Sequence, residues 1–186
     1  MDRKKFFIDM DGTIIDTIQA YCDVYNEIYC NHPNFQTAEA HLVNQYNMCD
    51  QCKLVTNVLD IFQHPLFFKF AEFINHNTYD VLEKLGSKYQ LIICSIGTPK
   101  NLAYKARWLE EKLPFIKDYV LISNPACKMN KSIVNMEGAI FLDDIPSNLY
   151  SSNAERKILF GKRYSWNKEW DGEWLRSWSE VEGRFL

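Results

Sequence analysis

No apolar stretch in this sequence approaches the roughly 18 residues that a membrane-spanning helix requires. Met1-Asp2-Arg3-Lys4-Lys5 runs straight into the short apolar segment Phe6-Phe7-Ile8, which is not the pattern of an export signal. A cytoplasmic protein with no membrane partner is therefore expected. An excess of positive charge is also missing: 21 Lys and Arg against 24 Asp and Glu give a formal net charge of −3. That balance argues against a track for polymeric nucleic acid. The 6 cysteines, at 22, 30, 49, 52, 94 and 127, contain a single pair at metal or redox spacing, Cys49-Asp50-Gln51-Cys52. One such pair falls short of a four-ligand zinc pattern, and Cys22, Cys30 and His32 offer no partner spacing. Free thiols are the expectation, with metal binding by Cys49 and Cys52 left open. No internal repeat or low-complexity segment interrupts the chain.

What is present is the composition of a globular domain: 186 residues, 47% hydrophobic and 15% aromatic. That length supports one sizeable core with room for an insertion. Ile14, Ile18, Tyr21, Tyr25, Ile28 and Tyr29 recur at helical spacing and predict a helix over 14–30. Residues 31–75 are rich in Asn, Gln, His and aromatics, with a break at His64-Pro65. We read 17–75 as a small helical cap inserted after the first strand, and 1–16 with 76–186 as the core. Beyond Thr78 the pattern alternates: helices over 78–86 and 99–112, strands over 89–95, 118–122, 139–142 and 156–160. Near-continuous apolar strands between helices predict an α/β fold, a Rossmann-like parallel sheet with helices on both faces. Trp166, Trp170, Trp174 and Trp178 recur every four residues and predict a packed helix at the end of the chain.

The chemistry concentrates at strand ends. Asp9-Met10-Asp11-Gly12-Thr13 follows Phe6-Phe7-Ile8 and sets two carboxylates one residue apart, where alternation lets both face one cavity. A carboxylate can attack phosphorus and carry the phosphoryl group, while a second handles the leaving-group proton. Leu91-Ile92-Ile93-Cys94-Ser95 ends in a hydroxyl, Lys128 and Lys131 follow, and Ala139-Ile140-Phe141-Leu142-Asp143-Asp144 ends in an acidic pair. Ligands of such sheets bind beyond the carboxyl ends of the strands, where these groups lie. A phosphate brought to this many carboxylates requires a cation, and Mg2+ suits a site of few carboxylates and phosphate oxygens.

These four segments, in this order, resemble the motifs of the haloacid dehalogenase-like phosphohydrolases. The resemblance implies Asp9 as nucleophile and Asp11 as general acid and base. It implies Mg2+ held by the Asp9 and Asp144 side chains and the Asp11 carbonyl, with Asp143 supporting. Ser95, the neighbouring amide of Ile96, and Lys131 would cradle the phosphate. Lys131 is favoured over Lys128 because its twelve-residue distance to Asp143 is closer to the family spacing. Aspartate at position 11 disfavours dehalogenase chemistry. Leu91 to Leu113, with Tyr104-Lys105-Ala106-Arg107-Trp108-Leu109, together with Tyr119-Val120-Leu121-Ile122 and Ser177-Trp178-Ser179-Glu180-Val181, is similar to the 5′(3′)-deoxyribonucleotidases. That likeness implies a deoxynucleoside monophosphate as substrate, with Tyr21, Phe62, Phe67 and Phe68 as candidates to stack on a base. A phosphatase of sugar or other metabolite phosphates, and a non-catalytic phosphate- or magnesium-binding module, are the alternatives. Oligomeric state stays open, a homodimer included.

Overall fold

The computed structural model describes residues 3–124 and 130–186, so Lys128 and Cys127 lie outside the described residues. Six strands form one parallel sheet: β1 (Lys5–Ile8), β2 (Gln90–Gly97), β3 (Asp118–Ser123), β4 (Ile140–Asp143), β5 (Arg156–Phe160) and β6 (Glu173–Leu175), in the order β3-β2-β1-β4-β5-β6. β1 is central, with Phe7 beside Ile92 on one side and Phe141 on the other. Strand alternation sorts the apolar side chains into two cores. Phe6, Ile8, Ile93 and Leu142 face one, and Phe7, Ile92, Cys94 and Phe141 face the other.

Among the described residues seven α-helices connect and cover the sheet: α1 (Thr17–Tyr29), α2 (Val58–Phe62), α3 (Phe67–Phe70), α4 (Thr78–Lys88), α5 (Pro99–Lys112), α6 (Pro146–Ser151) and α7 (Trp178–Phe185). Local chemistry sets their starts. Asp16 accepts from the Gln19 amide to cap α1, and Thr98 caps α5 ahead of Pro99, whose missing N–H costs nothing in a first turn. The segment from Thr17 to Asn75 holds α1, α2 and α3 and contributes no strand to the sheet.

The expected strands and helices lie within a few residues of those observed. The exception is the tryptophan-rich end. Trp166 sits in a turn, Trp170 just beyond it, Trp174 is in β6, and only Trp178 begins a helix. Spacing of four is met here by side chains in unlike environments: three find separate partners, and Trp166 stacks on Tyr164 with its indole N–H unpartnered among the described residues. The Trp170 indole donates to Glu173 O, the Trp174 indole to Gly161 O, and the Trp178 indole to Thr13 O. Among the described residues no helix is long and apolar enough to cross a membrane.

Candidate active site

Asp9 leaves the end of β1 with its amide on Leu142 O, and the chain then turns tightly through residues 10–15. Gly12 makes the turn at φ +69°, and a Cβ there would stand 2.5 Å from Asp144 Oδ2. Only glycine allows both that conformation and the close approach of the acidic pair. The Trp178 indole fastens the turn from behind through Thr13 O at 2.8 Å.

Lys131 is almost fully buried and bridges two carboxylates, Asp9 Oδ1 at 2.5 Å and Asp143 Oδ2 at 2.6 Å. Asp143 is fixed further by the Ile145 amide at 2.8 Å and by the Asn148 side chain at 3.1 Å. Asp144 has no hydrogen-bond or ion-pair partner among the described residues, and it lines the cavity. Asp9, Asp143 and Asp144 offer carboxylate oxygens within 4.8 Å of one another.

A second buried lysine, Lys105 from α5, completes the centre. Its ammonium donates to Asp11 Oδ2, to Ser95 Oγ at 2.8 Å and to Ile96 O at 2.8 Å. Three acceptors satisfy its three protons. The motif resemblance includes Lys105 but gives it no role. The signal was available: Lys105 falls in register with Asn101, Leu102, Trp108 and Leu109, the buried side of α5, where an unpartnered lysine is not tolerated.

The electrostatics follow from four carboxylates sharing two ammonium groups. Burial pushes the Asp9 carboxyl up to about 7; Lys131 opposes the rise, and Asp143 and Asp11 reinforce it. Burial, then Asp9 and Asp143, holds Asp144 well above the carboxylate range. Burial alone would lower Lys131, but Asp143 and Asp9 outweigh it and keep the group charged. Asp11 Oδ1 is buried with no partner. An all-oxygen donor set with surplus negative charge and an unpartnered carboxylate at its edge fits a hard divalent cation.

A cavity of about 780 Å3 opens over this centre. Ile96, Gly97 and Thr98 form part of its wall, while Ser95 lies beneath at 0% exposure, holding Lys105. The candidate stacking residues separate. Phe62 lines the cavity, but Tyr21 and Phe67 are packed in the core at 0% exposure, and Phe68 is turned to Phe67 and Tyr104. Aromatic side chains at high density build cores first, which is why sequence density misplaced them. Tyr46, Tyr164 and Trp166 line the cavity instead, the last two stacked at 4.2 Å. Cys49 is exposed and Cys52 buried, both as free thiols, and among the described residues the acidic trio is the group that could hold a metal. Burial pushes the Cys94 thiol up to about 12, consistent with a packing role.

A six-stranded parallel sheet carrying an acid–lysine centre at its carboxyl ends is the fold of the haloacid dehalogenase-like hydrolases. A phosphatase structure from Clostridium acetobutylicum, described as a predicted phosphatase, superposes with TM-score 0.69 at 13% identity, covering 99% of this chain and 98% of that one. YfnB from Bacillus subtilis, crystallised bound to magnesium, superposes with TM-score 0.64 at 12% identity, covering 100% and 99%. The chain belongs to the family described as 5′ nucleotidase, deoxy (Pyrimidine), cytosolic type C protein, whose model matches residues 3–186. The 5′(3′)-deoxyribonucleotidase of Clostridium acetobutylicum is 29% identical over 171 residues, covering 89% of this chain and 86% of the relative.

Proposed function

We propose that the crevice hydrolyses deoxynucleoside monophosphates through an aspartyl-phosphate on Asp9. One observation carries this reading. Lys131 clamps Asp9 Oδ1, which leaves the second oxygen without a partner at the floor of the cavity. That oxygen is the one available to attack phosphorus. Asp11, two residues on, has one oxygen held by Lys105 and the other unpartnered, the arrangement required of a group that gives a proton to the leaving alkoxide and takes one from water. Lys105 also fixes the Ser95 hydroxyl directly beneath the Ile96–Thr98 wall, the side of the cavity on which the phosphate would rest.

Asp9, Asp144 and the Asp11 carbonyl would hold Mg2+, with Asp143 steadying the set, and the ion would offset the phosphate charge. Residues 17–75 act as the cap, and its Tyr46 and Phe62 contribute the aromatic wall against which a base stacks. The nucleotide reading draws on the family match and on the relative's printed activity. Turnover in the cytoplasm is part of it.

The test is phosphate release from deoxynucleoside monophosphates, ribonucleotides and sugar phosphates, with magnesium and with chelator. Deoxynucleotides should exceed sugar phosphates by roughly ten- to a hundredfold in kcat/KM, since stacking a base is worth about 1–3 kcal/mol. Equal turnover of both would leave only the general phosphatase reading, and activity indifferent to chelator would remove the metal.

A further inference from the structure

Most polar side chains on the cavity wall are already engaged within the protein. Asn57 caps α2, Asn75 accepts from the Trp178 amide, Asn148 holds Asp143, and Asn167 joins Tyr164 N to Lys162 O. Asn101 donates to Phe62 O at 2.9 Å. Both buried lysines hold carboxylates. Two cations on the wall are left over: Lys162, just beyond β5, and Arg176, directly after β6. Among the described residues neither charged group lies within ion-pair distance of a carboxylate, whereas Arg163 is occupied 4.7 Å over the Trp174 ring.

Their position follows from the sheet. Phe160 pairs with Leu175, and Gly161 N donates to Leu175 O at 3.0 Å, so the two strand ends lie side by side. A Cβ on Gly161 would be 3.8 Å from Gly12 O, which sets this corner against the turn carrying Asp11. The two cations therefore stand beside the acid–lysine centre and not within it. The stacked pair Tyr164 and Trp166 lies on the loop between them.

We propose that Lys162 and Arg176 form a second-anion subsite, and that the preferred substrate is a nucleoside 3′,5′-bisphosphate, with one phosphate at Asp9 and the other on these two cations. Two unpaired cations on adjoining strand ends match a phosphate dianion in charge, and the guanidinium offers it paired donors. The neutral sugar and base of a nucleoside monophosphate offer these groups nothing comparable. This assignment rests on the nucleotide reading above and adds the second phosphate to it.

The experiment compares kcat/KM for thymidine 3′,5′-bisphosphate and thymidine 5′-monophosphate in the full-length chain and in Lys162→Gln, Arg176→Gln and the double variant, with an aryl phosphate as control. The unaltered chain should prefer the bisphosphate by about tenfold or more, the scale of one charge-assisted contact. Each single variant should reduce that ratio through KM, and the double variant should bring it near unity. Equal kcat/KM for the two substrates in the unaltered chain, or a preference that survives the double variant, overturns the subsite. Hydrolysis of the aryl phosphate with neither thymidine ester turned over instead overturns the nucleotide reading, and this assignment with it.

Discussion

Asp9 and Asp11 are separated by one residue and face one cavity, yet their partners differ, and their substitutions should differ accordingly. Asp9→Asn should abolish turnover while circular dichroism and melting report an intact fold, because an amide is not a competent nucleophile. Near-normal rates in that variant would rule out covalent catalysis at this position. Asp11→Asn should slow the reaction by roughly 10²–10⁴-fold, the usual loss for a general acid and base. Lys105→Met removes a charged donor from Ser95, Ile96 O and Asp11 together. A kcat loss of about 10²–10³-fold is expected in steady-state assays, as for a lost donor to developing negative charge. Sequence made the acidic residues legible because their chemistry demands fixed positions at strand ends, and Lys131 was legible through its spacing to Asp143. Lys105 was not, because a helix brings it to the site from ten residues beyond Ser95, and only its register on the buried face of α5 discloses it. Gly161 and Arg176 were equally hidden, since their nearness to Gly12 and to each other exists only once β5 and β6 are paired.

β1, β2, β4 and β5 were readable because each is a short apolar run between polar segments, and burial on both faces leaves little else for such a run to do, whereas β6, three residues beginning at Glu173, lies inside the stretch expected to be helical. The last element was misread for a reason particular to tryptophan. Its ring satisfies helical, strand and turn environments alike, provided that its N–H finds an acceptor. Trp178 shows what that acceptor does for the site: α7 is the element that fastens the Asp11–Thr13 turn to the body of the protein. Trp178→Phe retains a smaller aromatic ring and removes the indole donor, leaving Thr13 O buried and unpaired. The cost should be about 1–3 kcal/mol of stability by urea titration. A fall in kcat/KM should accompany it, because the turn loses its anchor. A variant as stable as the parent would show that α7 packs without holding the turn.

The whole molecule carries the charge imbalance of its centre as a stability cost. With Asp9 raised from 3.8 to about 7, the folded chain retains a proton that the unfolded chain releases. That contribution to stability is complete below the lower value and is lost as pH rises through the higher one. In chelator, the melting temperature should therefore decline from pH 4 to pH 8 by calorimetry, and Asp9→Asn should flatten the decline. Magnesium at a hundredfold excess over its Kd should restore about 2.7 kcal/mol, roughly 5–11 °C for a chain of this size, with a larger gain at pH 8 than at pH 5. A melting temperature insensitive to magnesium at both pH values would mean that the acidic trio holds no ion. The central place of β1 has a different kind of consequence, in time. Phe6, Phe7 and Ile8 leave the ribosome well before their partners on β4, which are encoded from Ile140 onward. At about 5–20 residues per second the ribosome takes roughly 7–27 seconds to supply them. Throughout that interval one edge of β1 stays unpaired, and chaperone capture or aggregation competes with folding until β4 arrives.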